Sequence, residues 1–241
     1  MLRFNRRPEA VTIAIFLIAI TGFAQSSTTA EQAKAAFTSK AFINGVTLDR
    51  IFVSVEGSSR QQGDARLVVG SDGTYSVALS KNAGVKGEAR SRTEPNVECS
   101  WTDSRGNNRA IDLFNCLIPA WFLLEVPLLL ASKATAEWTL SAQTTEGSIP
   151  HLKFTHQTGA ATGQDPPLES SIDIELSNTT LLPTKTRFFT HPDGRSYVNI
   201  PVEITYEDYR QIDGLSIPYH VQKFVNGTLV LDITISSANV N

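Results

Sequence analysis

The sequence is poor in the side chains that most often carry chemistry: two cysteines, one methionine and four histidines in 241 residues. Two cysteines alone are too few for a zinc site. His151 and His156 stand five apart, so on a strand they face opposite ways and cannot share a metal. His191 sits beside a Pro-Asp-Gly turn, and His220 alternates away from Ile217, Tyr219 and Val221, toward solvent. There is no His-Glu-x-x-His pairing, no Gly-x-Ser-x-Gly elbow and no glycine loop of the phosphate-cradling kind. Asp173 and Glu175 share a strand face and could form a glycosidase-like pair, but such residues are usually a solvated face. The chain therefore reads as a non-enzyme, with no catalytic residue, metal or cofactor assigned. Basic clusters are missing too. Nucleic-acid binding needs a positive stripe that releases counterions from phosphates, and that class is excluded.

A long apolar run is also absent. Val11 to Phe23 carries no charge but is only 13 residues long, with Thr12 and Thr21 inside it; a membrane span needs roughly 20. Arg3, Arg6 and Arg7 precede the run, and Gly22-Phe23-Ala24 offers small residues before Gln25. That order reads as a secretory signal over residues 1–24. Its removal takes three Arg and Glu9, leaving 18 basic and 23 acidic side chains and a net charge of −5. The expected product is periplasmic or secreted, without a transmembrane span and monomeric. Cys99 and Cys116 are an even pair in an oxidising compartment, where a disulfide is expected; the alternative is one buried and one exposed thiol.

Alternation with period two is what the mature chain has in quantity. Val198, Ile200, Val202, Ile204 and Tyr206 share a face, as do Ile172, Ile174 and Leu176, and Leu229, Leu231, Ile233 and Ile235. Tyr75, Val77 and Leu79 repeat the pattern, and so do Ile51, Val53 and Val55. Each such strand has one greasy and one wet face, which describes an antiparallel sheet covered on one side. Ser71-Asp72-Gly73, Arg105-Gly106-Asn107, Pro192-Asp193-Gly194 and Asn226-Gly227 lie between candidate strands and suit tight hairpins. The fold class is mainly β (α+β). A strongly curved antiparallel sheet of about nine to eleven strands forms an incomplete barrel, because a large twisted sheet curls. Residues 25–42 are a linker and short helix, with helix formers from Ala30 to Phe42, and 43–241 form a single β domain.

Ala110 to Lys133 (AIDLFNCLIPAWFLLEVPLLLASK) breaks the pattern. Ile111, Phe114, Ile118, Trp121 and Phe122 recur at helical spacing, while Pro119 and Pro127 forbid one continuous helix. Two short helical pieces with a bend are expected, lying in or over the trough. The candidate lining of an apolar ligand cavity is Trp121, Phe122, Leu124 and Leu128, with Trp138 and Leu140 from the sheet. Residues that line such cavities are the same types that fill cores, so a self-filled interior stands beside a lipid-accepting one.

A leading helix, an early block of strands, the apolar insertion and a second meander together resemble the periplasmic lipoprotein-carrier superfamily (LolA/LolB-like). The stretch Tyr206-Glu-Asp-Tyr209-Arg210-Gln-Ile-Asp213-Gly214-Leu-Ser-Ile-Pro218-Tyr219, the hairpin at Asn226-Gly227 and Thr180-Leu-Leu-Pro183 are similar to uncharacterised exported bacterial members. The likeness covers residues 165–241 well and the rest by topology. It implies a half-barrel closed by helices and a lipid or lipoprotein acyl chain as partner. The other expectation is a structural module of the envelope with a protein partner. Without any ligand, Asp213-Gly214 makes a turn, Pro218 sits at a strand start or edge, and Tyr206, Tyr209 and Tyr219 place their phenols at the rim.

Overall fold

The computed structural model describes residues 28–38, 45–56, 59–70, 75–81, 89–93, 98–102, 107–110, 139–158, 168–192, 195 and 197–240. Helix α1 (Thr29–Phe37) is followed by β1 (Gly45–Glu56), β2 (Ser59–Gly70), β3 (Tyr75–Lys81), β4 (Ala89–Thr93), β5 (Glu98–Thr102) and β6 (Asn108–Ala110). A second run comprises β7 (Thr139–Glu146), β8 (Ile149–Thr158), β9 (Leu168–Leu176), β10 (Pro183–Thr190), β11 (Ile200–Ile212), β12 (Leu215–Val225) and β13 (Thr228–Val240). The thirteen strands among the described residues belong to one sheet, in the order β6-β5-β4-β3-β2-β1-β13-β12-β11-β10-β9-β8-β7. Each run is a meander of sequential antiparallel neighbours, and β1 joins the first to the second through β13, also antiparallel.

Thirteen strands exceed the nine to eleven expected. The surplus is at one edge, where β4 (ARSRT), β5 (ECSWT) and β6 (NRA) show no apolar alternation and pair through their backbones. The four turns read from the sequence each join hydrogen-bonded neighbours. At Asn226-Gly227 both residues have positive φ, 49° and 73°, as a type I′ hairpin requires. Asp213 and Gly214 do the same between β11 and β12, at 48° and 82°.

Burial follows the period of two. Ile172, Ile174 and Leu176 are buried, and Ser171, Asp173 and Glu175, which alternate with them, are half-exposed. Val202, Ile204 and Tyr206 on β11, Ile217, Tyr219 and Val221 on β12, and Leu231, Ile233 and Ile235 on β13 continue the apolar face. Each fully buried large side chain contributes about 1.5–3 kcal/mol, so this face holds the fold together.

Helix α1 lies on that face. Thr28 caps it: its Oγ1 accepts the Glu31 N–H at 3.3 Å, and Glu31 Oε2 accepts the Thr28 N–H at 2.8 Å. Ala33 and Phe37, four residues apart on one side, are fully buried. The helix stops at Phe37, short of the expected Phe42. Thr38 turns extended and bridges Leu215, while Ser216 Oγ donates to the Ala36 carbonyl at 2.8 Å. Pairing with the sheet outweighs helix propensity there. At the other end the Ala30 N–H donates to Gln143 Oε1 on β7 at 3.2 Å. In a flat sheet β7 and β12 would lie roughly 24 Å apart, yet Ala30 to Ala36 is about 9 Å of helix. The sheet therefore curls around α1, and its apolar face is the concave one.

Candidate functional site

The inward face is the first place to look for a site. Among the predicted lining residues, Leu140 is on β7, half-buried against the core that Phe37 completes. Trp121, Phe122, Leu124, Leu128 and Trp138 lie outside the described residues, as does Cys116, together with the side chain of Cys99. Around α1 the inward face is closely packed: Leu152, Ile172, Ile174, Ile204, Ile217 and Ile233 expose nothing.

Polar groups on this face are few and engaged. Tyr206 donates its hydroxyl to Thr186 Oγ1 at 3.1 Å, both residues being buried. Tyr209 donates to the Pro183 carbonyl at 2.7 Å; burial, and then the nearby Tyr206, hold its phenol well above the ordinary tyrosine range, so it stays protonated. Tyr219 is buried, with the Arg210 guanidinium 4.1 Å from its ring centroid. The phenols are thus not a rim: two are tied to neighbouring strands and the third is buried beneath an arginine. Pro218 pairs with Tyr209, and β12 meets β13 only from His220 onward, so this proline occupies an effective edge as expected.

Lys223 is the residue that the sequence reading passed over. It is 7% exposed and continues the inward series of Ile217, Tyr219 and Val221, in register with Ile204 and Leu231. A lysine at an inward position of an otherwise apolar series was the available signal.

The outward face is ionic, and its charges alternate strand by strand. His151 Nδ1 on β8 lies 3.0 Å from Asp173 Oδ1 on β9. Arg187 on β10 reaches Glu175 at 3.3 Å and Glu203 on β11 at 3.1 Å, and Lys185 reaches Glu203 at 3.3 Å. His220 on β12 stands between Glu207 at 3.0 Å and Asp232 on β13 at 2.8 Å. Burial pulls the His220 imidazole down, but hydrogen bonds to the two carboxylates and their charges outweigh it, so its pKa is raised. Asp173 and Glu175 thus have different partners on different strands, His151 on β8 and Arg187 on β10. His191, expected to be an exposed turn residue, is half-buried with Nδ1 3.0 Å from the Val198 carbonyl oxygen. Among the described residues no three His, Cys, Asp or Glu side chains converge as a metal site, and no helix is long and apolar enough to cross a membrane.

A trough of about 590 Å³ opens on this outward face, lined by residues of β8 to β12. Phe189, Pro201 and Phe224 form its apolar part, and Lys153, Asp173 and Arg187 stand in its polar part. Nothing in the sequence reading pointed to it, because the rows that build it exist only once five strands are in register.

No protein-family model matches the sequence, and no curated protein matches it. Solved structures do match it. A LolA superfamily protein from Nitrosomonas europaea superposes with a TM-score of 0.54 at 11% identity, over 88% of this chain and 92% of that one. A domain from Vibrio parahaemolyticus named for outer membrane lipoprotein sorting gives 0.54 at 10% identity, over 88% and 91%. A DUF1329 family protein from Desulfovibrio piger gives 0.51 at 11% identity, over 88% and 92%. With its curved antiparallel sheet and apolar inner face, the chain has the fold of the LolA superfamily.

Proposed function

We propose that this is an exported, non-enzymatic binding protein of the cell envelope that shelters acyl chains or another apolar ligand against the concave face of its half-barrel. The observation that carries this reading is the continuous apolar face running over β8 to β13, set on a fold shared with a domain named for lipoprotein sorting. On this reading Trp121, Phe122, Leu124, Leu128 and Trp138 line the ligand surface beside Leu140. The periplasm is the compartment that suits such a carrier.

Native mass spectrometry of the protein purified from an exporting host tests this directly. Co-purified acyl species, or uptake of fluorescent fatty acid by the stripped protein, is the expected result. Bare protein that takes up none contradicts it.

A second reading has its own support. The six inward side chains around α1 that expose nothing favour a self-filled interior, and hence an envelope module that works through a protein partner. That reading expects a dry interior and a specific partner recovered by crosslinking in the native host; a lipid-loaded interior contradicts it.

A further inference from the structure

The trough on the outward face is separate from the concave surface: α1 and the buried core lie on the opposite side of the same strands. Its lining follows from register. Lys153 pairs with Asp173, Asp173 with Arg187, Arg187 with Glu203, and Glu203 with Phe224, so these five side chains form one row across β8 to β12. The neighbouring row brings Phe189 opposite Pro201. Phe189 is 47% exposed, one of few large hydrophobic side chains so exposed among the described residues, and Pro201 beside it is exposed as well. Phe189 and Pro201 thus stand beside the charged row, which spans roughly 19 Å over four strand spacings and ends at Phe224. The volume falls within the range of small-molecule sites.

The charges have a direction. Each carboxylate that lines the trough already has a partner: Asp173 lies 3.0 Å from His151 Nδ1, and Glu203 lies 3.1 Å from Arg187 and 3.3 Å from Lys185. Arg187 is likewise spent on Glu175 and Glu203. Lys153, exposed at the end of the row, has no ion-pair partner among the described residues. The lining charge without an ion-pair partner is positive, and it stands at the opposite end of the row from Phe224.

We infer that this outward trough binds a single-chain amphiphilic anion, its acidic head at Lys153 and its alkyl chain along Phe189, Pro201 and Phe224. The head meets an ammonium that forms no ion pair among the described residues, since Asp173 opposite it is bonded to His151 instead. The chain covers aromatic and proline surface that water otherwise wets. A cationic amphiphile of the same length meets Lys153 with like charge and is disfavoured.

Nuclear magnetic resonance of the protein titrated with dodecanoate below its micelle concentration provides the test. Magnetisation transfer from the alkyl chain to the Phe189 and Phe224 rings is expected, with dodecyltrimethylammonium binding there at least tenfold more weakly. Lys153→Gln and Phe189→Ser, both at exposed positions, should each weaken that contact at least tenfold. No transfer to either ring, equal binding of the cationic amphiphile, or an unchanged affinity in Lys153→Gln overturns the inference. Transfer to the inward methyl groups of Ile174 and Val221 reports the concave face instead, so the two sites succeed or fail separately.

Discussion

Replacing Phe37 with alanine should cost about 3–5 kcal/mol, the range for removing a fully buried phenylalanine. Phe37 exposes nothing and sits at the end of α1, the helix that packs on β8 and β12. A helix of nine residues cannot hold itself together in water, since nucleation is unfavourable and only tertiary contacts offset it. Truncating its main anchor should therefore loosen the whole element and wet the inward residues beneath it. The loss has a ceiling: once α1 detaches, further weakening of its contacts is invisible to the sheet. Urea denaturation of the wild type, Phe37→Leu and Phe37→Ala would give the magnitude, with the leucine variant retaining most of the stability. Hydrogen exchange at the Thr38 amide, which donates to the Lys34 carbonyl at 2.9 Å, would report whether the helix end still forms. A loss under about 1 kcal/mol, outside the range expected for a fully buried phenylalanine, with Thr38 still protected would refute the claim that α1 is docked through Phe37.

The His220 site should make stability depend on pH. Because its folded pKa is raised above the ordinary 6.5, the contribution is fully present below about 6.5 and fades as pH rises through the folded value. His220→Gln should then lose more stability, relative to wild type, at about pH 5.5 than at about pH 8.5; a larger difference at the alkaline end would contradict the sign. The pairing of Cys99 with Cys116, expected from the sequence, predicts that reductant lowers the melting temperature by several degrees, since a short-loop bridge contributes about 3 kcal/mol. Two titratable thiols before reduction, with an unchanged melt, would dispose of it.

Alternation made the second meander legible. Ile172, Ile174 and Leu176 had to share a face whatever their partners, and Asn226-Gly227 and Asp213-Gly214 have few conformations other than a tight turn. Fold class and antiparallel order followed from that. Strands such as ARSRT and NRA were not legible, because they are held by neighbouring backbones rather than by a pattern of their own. The end of α1 was missed for a related reason: Thr38 answers to Leu215, far away in sequence. Ion pairs depend on register, which a single sequence does not show. His220 could be placed on the outward face, but not between Glu207 and Asp232. Asp173 and Glu175 could be placed together, but not assigned to His151 and Arg187. The trough is the extreme case, since its five-residue row draws one side chain from each of five strands. Lys223 is the opposite kind of omission: its inward position could have been read from Ile217, Tyr219 and Val221, and the charge at that position marked it.

Photo-crosslinking asks most directly whether the concave face is where cargo rests. The protein would be loaded with a fatty acid bearing a diazirine at its chain end, irradiated and mapped residue by residue. Adducts are expected on inward side chains such as Leu140, Val221 and Val225 and within residues 121–138. Adducts confined to Phe189 and Phe224, or none at all, would contradict this expectation.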